Sequence, residues 1–262
     1  MPVWGIVNQK GGVGKTTTAV NLSSGLAAAG RRVLLIDADP QGNATTGFGI
    51  EKPSVPATLF DVFSALADDS DVETPIKGAI IPGEDGRPDI LAATLDLAGA
   101  EAVLLNAVGK ELLLRDALEP VRDQYDWIII DAPPSLGLIT INILAASDEV
   151  LVPMQSEFYA LEGLSQLLKT IDIVRRRINP GLKVGKVILT MHDARSRLSR
   201  QVSEEVEQFF AGKLSKVVVP RNVRLSEAPG FGEPALTLFP SSKGATAYRQ
   251  LVEEVLQECA AR

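Results

Sequence analysis

Cysteine and histidine occur once each, as Cys259 and His192, which excludes a disulfide framework, a cysteine-held cluster and a histidine-rich metal site. No apolar run reaches the roughly eighteen residues of a membrane span and no signal-peptide pattern is present, so a cytoplasmic protein is expected. Internal repeats and dividing linkers are missing too. Basic residues are scarce, 26 Lys and Arg against 33 Asp and Glu, and a net charge of −7 taken globally argues against nucleic acid as a partner. The distribution argues the other way. Residues 169–224 carry 13 basic and 5 acidic side chains, a local +8, which leaves 13 against 28, or −15, for the remainder. That split predicts a basic face on an acidic body, although solvated helix faces would have the same composition.

What is there reads as one soluble α/β domain: 262 residues, 45% hydrophobic and 23% charged, ample for a sizeable core. The most informative stretch is Asn8-Gln9-Lys10-Gly11-Gly12-Val13-Gly14-Lys15-Thr16-Thr17. It follows a short apolar run at residues 3–7 and precedes a helical pattern that should end before Gly30, so it reads as strand, glycine loop, helix. Glycines let the backbone turn its N–H groups around an anion, and the helix start adds partial positive charge at the same point. Lys15 would reach the β- and γ-phosphates of a nucleotide, and the Thr16 hydroxyl would complete the shell of a Mg²⁺ ion. Where the ordinary phosphate-loop pattern has its first glycine this chain has Gln9, and an additional lysine, Lys10, stands inside the loop.

Two apolar strands downstream end in carboxylates. Residues 32–37 run into Asp37-Ala38-Asp39-Pro40-Gln41-Gly42-Asn43, and residues 125–131 end on Asp131 before Ala132-Pro133-Pro134-Ser135. Carboxylates at the C-terminal edge of such strands lie where α/β sheets bind ligands, though taken alone turn formation explains Asp37 and Asp39 equally well and capping explains Asp131 better. Further strands are expected at 89–93, 150–153, 184–190 and 217–219. Helices are expected at 58–66, 138–146, from about 157 to 178, at 201–210 and from 242 onward. The turn-rich stretches 68–71 and 82–88 should be exposed, and residues 51–88 as a whole suggest no chemistry. Alternating helices and apolar strands imply a mostly parallel twisted sheet with helices on both faces. Thr190 and Met191 would lie at a ligand-facing strand end. Arg175, Arg176 and Arg177 suit a helix C-terminus without any DNA.

Residues 10–17 resemble the deviant Walker A loop of the ParA/MinD group of P-loop ATPases. Residues 37–43 resemble the A′ motif of ParA proteins, 128–135 their Walker B strand, and 220–229 a further ParA signature; 96–101 and 157–164 are also similar to the family. The likeness to ParA/Soj partition ATPases covers nearly the full length. It implies an ATPase acting through Mg-ATP, in a nucleotide-sandwich homodimer in which Lys10 reaches the partner's nucleotide. By the same resemblance residues 10–17 hold the phosphates, Asp39 positions the attacking water, Asp37 supports the loop and metal shell, and Asp131 holds a Mg²⁺-bound water. Residues 133–137 become a switch segment sensing the γ-phosphate. Pro220 and Asn222 line the adenine pocket, and Arg195, Arg221 and Arg224 bind DNA without sequence preference. Arg197 is an added charge in the loop at 192–199. A ParB-type partner would stimulate a weak intrinsic hydrolysis, on the nucleoid and away from any membrane. The sequence is expected to be one ATPase domain over residues 1–262 without an N-terminal helix-turn-helix. A MinD-like membrane regulator and a metabolic P-loop enzyme of the dethiobiotin-synthetase type are the alternatives. The acidic polar face of the C-terminal helix favours core packing over lipid.

Overall fold

Every residue of Val3–Ile6 (β1), Val33–Asp37 (β2) and Trp127–Asp131 (β5) is buried, which is what unbroken apolar runs require when both faces of a sheet are covered. The computed structural model describes residues 2–68, 75–157, 160–193, 195–210 and 212–260. The expected turn residues 69–71, together with Phe158, Tyr159 and Ala194, lie outside the described residues. With Ile80–Ile81 (β3), Asp89–Leu91 (β4), Glu149–Gln155 (β6) and Lys183–Thr190 (β7), the strands form a seven-stranded sheet in the order β3-β4-β2-β5-β1-β6-β7. All neighbours are parallel except β3 with β4.

Successive side chains of these strands go to opposite faces. Leu34, Ile36, Ile128 and Ile130 join the core beneath Leu59–Ala67 (α2), Leu138–Ala146 (α3), Ala160–Arg177 (α4) and Arg197–Phe209 (α5). Leu35, Ile129, Trp4 and Ile6 join the core beneath Lys15–Ala28 (α1) and Lys243–Ala260 (α6). Gly30, at φ +78°, ends α1 in the left-handed conformation that the sequence assigns to it. On α6, Tyr248, Leu251, Val252 and Val255 are buried in that second core, so among the described residues this helix is a packing element. No described helix is long and apolar enough to cross a membrane.

Three details differ from the sequence reading. Residues 217–219 are not a regular strand. The Lys213–Pro220 backbone follows β7, with Ser215 donating to the Val187 carbonyl and Val219 to that of Leu189, but Ser215 Oγ takes the Val217 amide at 3.0 Å and interrupts the ladder. Arg197 opens α5 instead of lying in a loop, because the Ser196 hydroxyl caps the helix by accepting the Ser199 amide. Within 51–88 the pair Ile80–Ile81 extends the sheet as an antiparallel edge, too short to register as an alternating pattern.

Candidate nucleotide-binding site

The loop from Asn8 to Gly14 emerges from β1, an interior strand between β5 and β6, and distant side chains hold its course. Asn8 donates to the Pro153 carbonyl at 2.7 Å and accepts the Lys10 amide at 3.0 Å. Thr190 donates to the Val13 carbonyl at 2.7 Å, and Gln155 to the Gly12 carbonyl at 3.0 Å. Gly12 and Gly14 take φ of +71° and +91°, where a side chain would be strained, so these two glycines are what allow the turn. Gly11 is exposed, Val13 is buried, and Thr16 and Thr17 stand half-buried in the first turn of α1. A cavity of about 240 Å³ runs from Thr16 and Thr17 to Ser226 and Pro229.

The two lysines differ in environment. Lys15 is buried and its ammonium donates to the Lys10 carbonyl at 3.3 Å; burial holds its pKa below the ordinary lysine value, against the opposing pull of Asp131 and Asp39. Lys10 is 42% exposed, pairs with Glu157 at 2.8 Å and donates to Gln155 at 3.2 Å.

Asp37, Asp39 and Asp131 come together at the carboxyl edge of β2 and β5, where Asp37 and Asp131 are register partners. Asp37 is fully buried and its pKa is raised to about 6, mainly by burial, with hydrogen bonds from Thr45 and Asp39 opposing. The pKa of Asp131 is raised well above its ordinary value, by burial first and then by the Asp37 charge. The Thr16 side chain favours the Asp131 charge, yet neither Asp131 oxygen has a hydrogen bond of ordinary geometry. Asp39 is buried and accepts the Gln41 amide at 2.9 Å, which closes the turn. An unpartnered buried carboxylate beside a threonine hydroxyl and a buried lysine fits Mg²⁺, which binds through one or two protein oxygens plus phosphates and water.

The residues expected to line the adenine pocket are neighbours as well. Met191 has φ +49°, a left-handed conformation uncommon outside glycine and found at ligand sites. The next residue, His192, bridges in parallel to Pro220, so the loops after Thr190 and Val219 lie side by side. Asn222 accepts the Arg224 amide at 2.9 Å and caps the short helix Val223–Glu227. The arginines expected to bind DNA are all exposed, but not equally free. Arg195 pairs with Asp193, and Arg224 pairs with Glu227 and lies 4.7 Å from the Phe239 ring centroid. Among the described residues Arg197 and Arg221 form no ion pair. Lys186, counted in the basic stretch, is not on a basic face: it is buried between Glu254 and Glu258.

Sequence reasoning missed Thr45, Asn8 and Gln155. Gln155 at least carried a readable signal, a polar residue ending an apolar strand at the ligand edge. Thr45 and Asn8 carried none, because their partners are set by the A′ turn and by strand adjacency.

A parallel sheet whose first strand delivers a glycine loop to a helix start, with carboxylates on the two adjacent strand ends, defines a P-loop ATPase fold. A family profile described as an AAA domain matches residues 1–184. The chain is 53% identical to the sporulation initiation inhibitor protein Soj of Bacillus subtilis, over 95% of this chain and 96% of that one. It is 48% identical to the chromosome partitioning protein ParA of Caulobacter vibrioides, over 97% and 93%. Among solved structures, cobyrinic acid a,c-diamide synthase from Mycobacterium smegmatis with bound ADP and magnesium superposes with a TM-score of 0.83 at 36% identity, over 99% and 96%. The chain belongs to the ParA/Soj family of chromosome-partitioning P-loop ATPases.

Proposed function

We propose that this protein is a DNA-partitioning ATPase in which Mg-ATP closes two copies into a nucleotide sandwich that binds duplex DNA without sequence preference, and that a ParB-type protein stimulates hydrolysis and release. The observation that carries this reading is the contrast between the lysines: Lys15 is buried inside its own loop, whereas Lys10 is exposed and spends its charge on Glu157. A lysine on the phosphate loop that takes no part in the cradle is suited to a neighbour's nucleotide. Hydrolysis then waits on dimerisation, which makes the intrinsic rate low and gives the reaction a timing role.

The chemistry is phosphoryl transfer to water: the water oxygen bonds to the γ-phosphorus, the bridging P–O bond breaks, and ADP leaves. Residues 11–17 bind and orient the phosphates, Asp39 positions the water, and Lys10 of the partner copy neutralises developing charge as an arginine finger would. Thr16 and Asp131, the latter through water, would hold Mg²⁺, which supplies charge neutralisation on the phosphates, and Asp37 supports that shell. Thr190, Met191, Pro220 and Asn222 receive the base. Arg195, Arg197, Arg221 and Arg224 from both copies form the DNA face, so DNA affinity follows the dimer and brings the protein to the nucleoid.

A metabolic reading has one point in its favour, the 36% identity to an amide-forming enzyme by its name, and it requires ATP turnover to depend on a small second substrate. DNA binding and molecular mass measured with ADP, ATP and a non-hydrolysable analogue decide between them. A dimer that binds DNA only with the triphosphates is expected. A protein that stays single with the analogue, or binds DNA equally well without nucleotide, would overturn the proposal. Replacing Asp39 by Ala should leave ATP-bound dimers on DNA, and ordinary turnover in that variant would remove its role.

A further inference from the structure

Two carboxylates stand side by side at the carboxyl edge of the sheet, both without solvent exposure, and they are partnered unequally. Asp37 Oδ2 accepts both the amide and the hydroxyl of Thr45, each at 2.8 Å, and Oδ1 accepts the Asp39 amide at 3.2 Å. Three of the roughly four acceptor positions of that carboxylate are therefore filled. The oxygens of Asp131 have no hydrogen bond of ordinary geometry.

Thr45 is itself fully buried and tied to a third strand. Its hydroxyl oxygen accepts the Ala93 amide at 3.1 Å, just beyond β4, and its hydrogen goes to Asp37. One hydroxyl thus links the ends of β4 and β2, with β5 next in the sheet. Donors aimed at Asp37 oppose a cation approaching it from their side and satisfy its charge internally. Asp131 faces only the Thr16 hydroxyl, at a geometry short of an ordinary hydrogen bond, so an incoming cation or its water meets lone pairs far less occupied than those of Asp37.

We propose that Thr45 is a positioning residue that decides which of the two adjacent carboxylates serves the cation: by occupying Asp37 it fixes that side chain as a support and reserves Asp131 for the Mg²⁺ shell. The inference rests on the Mg-nucleotide reading above and deepens it. Asp37 would lose one of its two bonds from Thr45 beside a residue of equal size that lacked the hydroxyl.

The test is the Mg²⁺ concentration needed for half-maximal binding of a fluorescent non-hydrolysable ATP analogue to the full chain, with no turnover involved. Thr45→Val, which keeps the shape and removes the hydroxyl, should raise that concentration about tenfold or more, whereas Thr45→Ser should stay within about twofold of the unsubstituted protein. Asp131→Asn should abolish the Mg²⁺ dependence and Asp37→Asn should only shift it. An unchanged requirement in Thr45→Val, or an equal loss in Thr45→Ser, would overturn the proposal, since the methyl packing and not the hydroxyl would then matter. So would the reverse order of the two Asn variants, which remains decisive if Thr45→Val does not fold. Analogue binding by the unsubstituted protein that is indifferent to Mg²⁺ would instead overturn the parent reading, and this inference with it.

Discussion

Lysines five positions apart on one loop have ammonium groups in different surroundings. The Lys15 ammonium is desolvated and turned to the Lys10 carbonyl, ready to exchange that weak contact for phosphate oxygens. The Lys10 ammonium is half in solvent and committed to Glu157 and Gln155. Lys15→Ala should therefore weaken binding of an ATP analogue about 10- to 100-fold, the cost of one charge-assisted contact. Lys10→Ala should leave analogue binding by a single copy within about twofold and abolish analogue-induced dimers, because only the second event calls on that charge. Calorimetric titration and sedimentation separate the two. Equal losses of analogue affinity would show that both lysines serve the same nucleotide.

At the scale of elements, the edge strand β7 and the helix α6 are joined by a buried ion cluster that neither local sequence announces. Lys186 is 6% exposed and donates to Glu254 and Glu258, each at 2.7 Å, while Ser215 donates to the second oxygen of Glu254. Burial disfavours the charged forms of Lys186 and Glu254, but their mutual hydrogen bonds win: the lysine pKa is raised and that of Glu254 is lowered. The sign of the linkage follows. The contribution of Glu254 is full above the ordinary glutamate value and is lost as pH falls through its depressed value; that of Lys186 is full below the ordinary lysine value and is lost as pH rises through its raised value. The cluster thus stabilises the fold fully across neutral pH. Lys186→Met should cost about 3 kcal/mol in urea unfolding at neutral pH, with a smaller deficit in acid, because two carboxylates lose their partner. A deficit independent of pH would mean that the loss is one of packing.

For the whole molecule, the net charge of −7 conceals an edge where the loops after β7 and after Val219 run together. The His192 bridge to Pro220 joins arginines from segments more than twenty residues apart, and a dimer would present each of them twice. Arg221 carries no local ion pair among the described residues, unlike Arg195 and Arg224, so its charge is the least compensated of the three. Arg221→Ala should lower the slope of log affinity for duplex DNA against log salt by about 0.9 per lost phosphate contact, roughly two for a dimer, with nucleotide affinity unchanged. A filter-binding salt series checks it, and an unaltered slope would remove Arg221 from the interface.

The sequence alone determined the fold class and the phosphate loop. Short apolar runs such as residues 33–36, bounded by turn residues, read as strands covered on both faces, and Gly12, Gly14, Lys15 and Thr16 lie within one turn of chain. Tertiary structure alone decided how the carboxylates share their donors, which lysine is buried, and which arginines are free. Thr45 meets Ala93, Asn8 meets Pro153, and Lys186 meets Glu254 across separations that no periodicity encodes. Such pairings depend on strand order and on where a turn releases the chain, and these are settled when the sheet assembles.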